Sequence, residues 1–239
     1  MNFRNDGINM KTQKFKIQKT NGTCAVCSKS FSKTAMKKHL ESSGHSARES
    51  SGYSVPVGAK LFTILVEGSF FNEYWMYLEV PANTILRRLD NFLRDTWVEC
   101  CGHMSMFVID GKRYLSETDD VFIEDLSMHY ILDKVLSPGK KFSYEYDFGS
   151  PTQLDLKVVG EREIEDSDSS VVILARNAPP LPVCSSCGKV ATYICRHCGC
   201  NNQGRVCDDC SSGHECGEEM LLPVVNSPRV GVCGYTGMD

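Results

Sequence analysis

Four Cys-x-x-Cys pairs carry most of the chemistry open to this chain: Cys24/Cys27, Cys184/Cys187, Cys195/Cys198 and Cys207/Cys210. Such a pair sets two thiolates on one tight turn, where both can reach a single tetrahedral zinc. A lone pair is equally a redox dithiol, but three in quick succession favour metal.

The first pair opens the run CAVCSKSFSKTAMKKHLESSGH, residues 24–45. Its spacing, Cys24-x2-Cys27-x11-His39-x5-His45, resembles the two-Cys-two-His zinc finger, a short hairpin followed by a helix. Phe31, Met36 and Leu40 supply a miniature core. The interval from Cys27 to His39 is one residue short of the usual twelve. The wide His39–His45 interval requires the helix to end near Ser43-Gly44. Lys29, Lys33, Lys37 and Lys38 are available to phosphates, or simply solvate a small fold.

The C-terminal run, residues 184–216, offers eight ligands: Cys184, Cys187, Cys195, Cys198, Cys207, Cys210, His214 and Cys216. Eight ligands make two closed tetrahedral sites, and closed sites are structural rather than catalytic. Pairing is sequential or interleaved. The interleaved cross-brace is preferred because His214-x-Cys216 follows all three Cys-x-x-Cys pairs. Cys200 is a spare for Cys198, and His197 reads as an exposed neighbour. Three zinc ions per chain are expected, one for each set of four ligands.

One more cluster has reactive types: Cys100-Cys101-Gly102-His103. A thiolate beside an imidazole is the chemistry of a cysteine nucleophile, with Asp147 or Glu99 to orient His103. The alternative is structural, with Cys101 buried after an amphipathic helix and His103 bonding a turn.

Composition bounds these readings. The chain has 239 residues, 13 Cys, 41% hydrophobic residues and a formal net charge of −4. Met1–Thr20 is polar and Lys-rich, without the apolar core of a secretory signal. No apolar run approaches the ~18 residues that span a bilayer, so no membrane partner is expected. A cytoplasmic location follows, where thiols bind metal rather than form disulfides. Residues 1–50 carry a net charge of +7 and the remainder −11. The basic head suggests nucleic acid as a partner, and the Cys-rich end suggests a protein partner. The acidic stretches Glu117–Asp125 and Glu161–Asp168 lack EF-hand spacing and read as surface loops.

The elements that position these groups follow from apolar pattern. Residues 1–20 read as a flexible basic tail, 21–46 as the finger, 57–175 as a globular domain, and 183–239 as a two-zinc module with a tail packing back. Leu61–Val66 and Tyr74–Val80 read as strands, and Pro81 ends the second. Asn83 or Thr84 caps a helix with Ile85, Leu86, Leu89, Phe92, Leu93 and Trp97 on one face. Met104–Asp110 and Arg113–Leu115 form a hairpin turning at Asp110-Gly111. A second helix covers Met128–Leu136. Phe142–Phe148, Gln153–Val159 and Val171–Leu174 follow as strands. The expected fold class is α+β, a mixed-sheet central domain flanked by an N-terminal finger and a C-terminal zinc module.

The central signature is Tyr77-Leu78 before Pro81, then Thr84-Ile85-Leu86-Arg87-Arg88-Leu89, then His103 before Met104–Ile109 and Tyr114. Pro138-Gly139-Lys140 precedes the run Tyr144-Glu145-Tyr146-Asp147-Phe148-Gly149. Over residues 57–175 this resembles the plasmid Ri open-reading-frame-three-like family, whose members often carry a transposon-resolvase label. The tail Leu221–Gly234 with the zinc module is similar to its longer, zinc-decorated branch. The family's run continues Asp-x-Trp-x-His; here Ser150-Pro151-Thr152-Gln153-Leu154 stands instead. A resolvase needs an activated Ser or Tyr with clustered Arg, whereas Arg87 and Arg88 are adjacent and face different sides of a helix. The sequence therefore reads as a non-enzymatic zinc-binding interaction protein. The alternatives are an enzyme using Cys100 or Cys101 with His103, and an adaptor docking through the zinc module.

Overall fold

The computed structural model describes residues 20–43, 59–117, 125–164, 170–199 and 204–237. His45, Cys200 and the basic residues 1–19 lie outside them, so the expectations placed there have no structural account.

Ten strands form one mixed sheet, in the order β2-β1-β10-β4-β3-β9-β8-β5-β6-β7. In chain order they are β1 (Gly22–Cys24), β2 (Ser30–Phe31), β3 (Ala59–Gly68), β4 (Trp75–Pro81), β5 (Ser105–Ile109) and β6 (Lys112–Leu115). Then come β7 (Leu126–Ser127), β8 (Lys141–Tyr146), β9 (Thr152–Ile164) and β10 (Val172–Asn177). Only β6 and β7 pair in parallel; every other described pairing in this sheet is antiparallel. The expected strands are present, several of them longer than their apolar cores. The β5–β6 hairpin turns at Asp110 (φ 50°) and Gly111 (φ 76°), the left-handed pair that matches strand twist.

Helix α1 (Lys33–Ser43) belongs to the finger. Helix α2 (Leu86–Leu93) runs into a π-turn at Arg94–Val98. Its Leu86, Leu89 and Leu93, with Trp97 of the turn, are fully buried against Phe62, Ile64, Met76 and Leu78. Leucines three or four apart share one helix face, and this face closes the main core. The expected cap does not form: Ile85 occupies the N-cap position with no side-chain bond. Backbone bonds replace it, since the Leu86 N–H donates to the Tyr130 carbonyl and the Arg87 N–H to that of Met128. The second helix is shorter than expected. It is a single turn, α3 (Leu132–Val135), because the segment before it is spent as β7 and as partner to α2.

Strand β4 is buried at every position. Met76, Leu78 and Val80 face α2, while Trp75 and Tyr77 face the opposite layer. That second layer is the finger, whose Cys24 and Met36 are fully buried there with Phe31 and Leu40 packed alongside. Side chains alternate along a strand, so a strand apolar on both parities needs a cover on both faces. Strand β1 pairs with β10, extending the sheet into the finger hairpin. The Tyr77 hydroxyl donates to the Lys33 carbonyl at 3.0 Å, and the Lys33 ammonium reaches Glu67. No described helix is long and apolar enough to cross a membrane.

The C-terminal residues add a small three-stranded sheet, β11 (Tyr193–Cys195) between β12 (Arg205–Val206) and β13 (Leu221–Pro223), with a one-turn helix α4 (Asp208–Ser211). The tail then packs back as expected. Its Ser227 hydroxyl donates to the Trp97 carbonyl, Asn226 exchanges two bonds with Asn177, and Arg229 is wholly buried.

Candidate metal centres

Two of the Cys-x-x-Cys turns share one local design. In the finger, the Cys24 N–H donates to the Lys29 carbonyl and the Ser28 N–H to that of Cys24. At the start of the C-terminal module, the Cys184 N–H donates to the Lys189 carbonyl and the Gly188 N–H to that of Cys184. The residue after each second cysteine is left-handed, Ser28 at φ 59° and Gly188 at φ 76°. This is the tight turn that brings two thiolates to one point. Both turns carry the same local motif, Cys-x-x-Cys-(Ser/Gly)-Lys.

The finger cluster gathers Cys24, Cys27 and His39, with ligand atoms within 4.8 Å of one another. Cys27 Sγ lies 3.3 Å from His39 Nε2, and the His39 ring stacks on Phe31 at 4.3 Å. Helix α1 carries His39 over the turn, and buried Met36 fixes its face.

The C-terminal ligands sort into two interleaved groups. Cys184, Cys187, Cys207 and Cys210 form one, and Cys195, Cys198, His214 and Cys216 the other. This is the cross-brace. Its cause is backbone hydrogen bonding outside the strand pairings: the Ser185 N–H donates to the Arg205 carbonyl, which sets the first turn beside the end of β12 and Cys207. The Arg196 N–H donates to the Met220 carbonyl, which sets the second turn beside the segment carrying His214 and Cys216. Cys187 and Cys207 sulfurs are 3.5 Å apart, Cys198 and Cys216 3.3 Å, and Cys198 Sγ to His214 Nε2 3.9 Å. Sulfurs ~2.3 Å from a tetrahedral zinc stand roughly 3.8 Å apart, so these groups have nearly the size of an occupied site. A disulfide would need ~2.05 Å, and all described cysteines are free thiols.

The thiols within each group are electrostatically unequal. Burial pushes the Cys184 thiol up, but N–H groups of Cys187, Ser186 and Cys207 outweigh it and bring it down to about 6. Burial likewise opposes ionisation of Cys195, and N–H groups of Cys198 and His197 with His214 bring it down to about 7. Their neighbours move the other way. Cys187 and Cys207 push Cys210 up to about 12, and Cys198 with burial pushes Cys216 up to about 12. Thiolates this close cannot all ionise alone, whereas a divalent ion deprotonates every one of them. The donor sets therefore fit zinc, with sulfur and imidazole nitrogen as its usual ligands.

A fourth group contains Cys100, Cys101 and His103, joined by Cys233 from the tail. Cys101 is exposed, against the expectation of a buried thiol, because the chain leaves the π-turn outward at Glu99. The Tyr146 hydroxyl donates to Glu99 at 2.7 Å and accepts from the Cys100 and His103 N–H groups, fixing the loop between them. Of the two expected orienting residues, Asp147 does reach His103, with Oδ2 3.5 Å from Nε2, while the same carboxylate also pairs with Arg229; Glu99 pairs with Arg94 instead. Nothing local in the sequence marks Cys233 or Arg229 as a site residue. Thr152 stands where the related run has Trp, and its hydroxyl accepts from Arg229 at 3.0 Å.

No curated protein matches the chain. The crystal structure of a protein of unknown function from Methanosarcina mazei Go1 is similar at 16% identity, over 49% of this chain and 69% of that one, with a TM-score of 0.44. The model of the family described as plasmid pRiA4b ORF-3-like protein matches residues 64–193, more than half of the sequence, and the chain belongs to that family.

Proposed function

We propose that this chain is a non-enzymatic, zinc-binding interaction protein whose C-terminal zinc module is the docking surface for a protein partner. The partition into tail (1–20), finger (21–46), family domain (57–175) and zinc module (183–239) goes with this reading, as does a reducing compartment such as the cytoplasm. One observation carries it. Leu181, Val183 and Val190 are 70%, 55% and 51% exposed, and Val183 and Val190 are bridged side by side at the head of the module. Large apolar side chains grouped on a surface mark an interaction site more often than scattered ones do. The interleaved ligand sets support the module as a rigid platform, because closed zinc sites supply folding free energy that so small a core lacks.

Metal analysis of the purified chain tests the first half: about three zinc are expected in the finger and the cross-brace, and one or none would overturn the reading. The second half is tested by the triple variant Leu181→Ser, Val183→Ser, Val190→Ser. It should keep its zinc and lose a partner that the wild-type chain captures at moderate salt. Unchanged capture would remove the module as docking surface.

Nucleic acid is the second reading, favoured by the charge of +7 in residues 1–50. Of the four finger lysines, Lys33 is engaged by Glu67 and the Asn72 carbonyl, and Lys37 pairs with Glu41. Lys29 and Lys38 remain on the exposed side. Binding of DNA or RNA that falls with salt, and falls further in Lys29→Glu/Lys38→Glu, supports it. No binding at low salt removes it.

A further inference from the structure

Cys100 and Cys233 lie at opposite ends of the family domain and tail in sequence, yet their sulfurs converge with those of Cys101 and the ring of His103. Cys101 Sγ is 2.9 Å from His103 Nε2, 3.4 Å from Cys100 Sγ and 3.7 Å from Cys233 Sγ, and Cys233 Sγ is 3.6 Å from the same nitrogen. A tetrahedral zinc with ~2.3 Å Zn–S and ~2.05 Å Zn–N bonds separates its ligands by roughly 3.6–3.8 Å. The two Cys233 separations match that size, Cys100–Cys101 is close to it, and Cys101–His103 is shorter, at hydrogen-bonding distance. The Cys101 and Cys233 sulfurs stand well beyond the ~2.05 Å of a disulfide.

Two further features fit a bound cation. The tail turns sharply to deliver its thiol: Cys233 is left-handed at φ 58°, between Gly231 (φ 78°) and Gly234 (φ 147°). A non-glycine residue held there costs of order 1 kcal/mol and needs a local reason. The second feature is Arg229, four residues earlier and wholly buried. Its guanidinium donates to Cys100 Sγ at 3.2 Å, to Asp147 at 2.8 Å, to the Ser150 carbonyl at 3.2 Å and to Thr152 Oγ1 at 3.0 Å. Three thiolates around one divalent ion leave one net negative charge. The buried guanidinium bridges one of those sulfurs and Asp147, whose carboxylate lies 3.5 Å from His103 Nε2, so it links the thiols and the imidazole through one hydrogen-bonded network.

We propose that Cys100, Cys101, His103 and Cys233 form a fourth zinc site that fastens the C-terminal tail to the family domain, with Arg229 and Asp147 as the buried pair that braces it. Zinc binding there releases three thiol protons and forms three Zn–S bonds and one Zn–N bond. It also closes the thiols to nucleophilic chemistry, because no coordination position is left open.

Native mass spectrometry of the full chain, purified with zinc and reductant, counts the ions directly. Four zinc are expected in the wild type and three in Cys101→Ser/Cys233→Ser. A wild type with three zinc and a double variant that still holds three overturns the fourth site while leaving the other three intact. A variant that loses one zinc supports the fourth site even where the wild-type total shows another site empty. Where the variant fails to fold, alkylation of the wild type decides. Cys101 is exposed, so N-ethylmaleimide should spare it and Cys233 until a zinc chelator is added. Immediate labelling of Cys101, or a Cys101–Cys233 disulfide in the peptide map, overturns the proposal.

Discussion

Substituting Gly22 with alanine tests whether the finger is built into the sheet. Gly22 sits in β1 opposite Asn177 of β10. A Cβ there would lie 2.3 Å from Trp75 Cη2, 2.7 Å from Trp75 Cζ2 and 2.5 Å from the Arg176 carbonyl oxygen. The carbonyl is part of the sheet backbone and cannot swing away. The indole is 1% exposed, and the Trp75 N–H is fastened to the Asn177 side chain at 2.9 Å. Overpacking of this kind costs about 1–3 kcal/mol, and replacing a glycine returns about 0.4–1 kcal/mol through the unfolded chain. The net cost reaches about 2.6 kcal/mol, which at tenfold per ~1.4 kcal/mol corresponds to up to about 70-fold more frequent opening. The assay is amide hydrogen exchange. The Ala25 N–H donates to the Leu174 carbonyl and the Ala178 N–H to that of Asn21, so both amides report the finger–sheet junction. Both should exchange faster in Gly22→Ala. The matched control is Gly160→Ala in β9, whose added Cβ would meet nothing nearer than 3.9 Å; its exchange should be unchanged or slower. A finger merely tethered to the domain would tolerate or welcome alanine in an extended segment. Unchanged exchange at Ala25 and Ala178 would refute the docked arrangement.

The remaining predictions concern the metal groups, the buried acid and the finger contact. Cys187→Ser should expose Cys184, Cys207 and Cys210 to alkylation ahead of Cys195, Cys198 and Cys216, and joint labelling of Cys184 with Cys195 would instead indicate sequential pairing. Asp90 is wholly buried, where it accepts from the Ser105 hydroxyl at 2.6 Å and the Tyr144 hydroxyl at 2.9 Å. Burial raises its pKa above the ordinary carboxylate value despite those two donors. A raised acid favours the folded state fully below the unfolded pKa of about 3.9, and the contribution is lost as pH rises through the folded value. Thermal melts should therefore show Asp90→Asn gaining on the wild type as pH climbs above about 4, and a pH-independent difference would count against this. Tyr77→Phe removes the hydroxyl bond to the Lys33 carbonyl and should cost about 0.5–1.5 kcal/mol, read from the same junction amides.

Much of the candidate chemistry was legible because metal ligation demands particular residue types at short spacing. Cys24, Cys27 and His39 could be grouped from one local run, and eight C-terminal ligands from another. The hairpin at Asp110-Gly111 was equally legible, since few residues adopt two successive left-handed conformations. Less legible were features that depend on what covers an element. Ile85 stands at the N-cap of α2 because backbone carbonyls from the α3 segment already meet its first N–H groups, so no capping side chain is needed. The apolar residues Trp75 and Tyr77 were visible as strand residues, but their parity was not read as a call for a second covering layer. Arg229 looked like any tail arginine, and only its surroundings make it a buried cation.

Sequence alone determined which residues can share a turn, because a Cys-x-x-Cys pair places two sulfurs together through a few backbone bonds and needs nothing distant. It did not determine which turns stand together. Which turns come together was decided by backbone bonds in the tertiary structure: Ser185–Arg205 and Arg196–Met220 interleave the C-terminal pairs. The return of the tail brings Cys233 to Cys101 in the same way. Long-range distance is a property of how sheets and tails pack, and no local spacing encodes it.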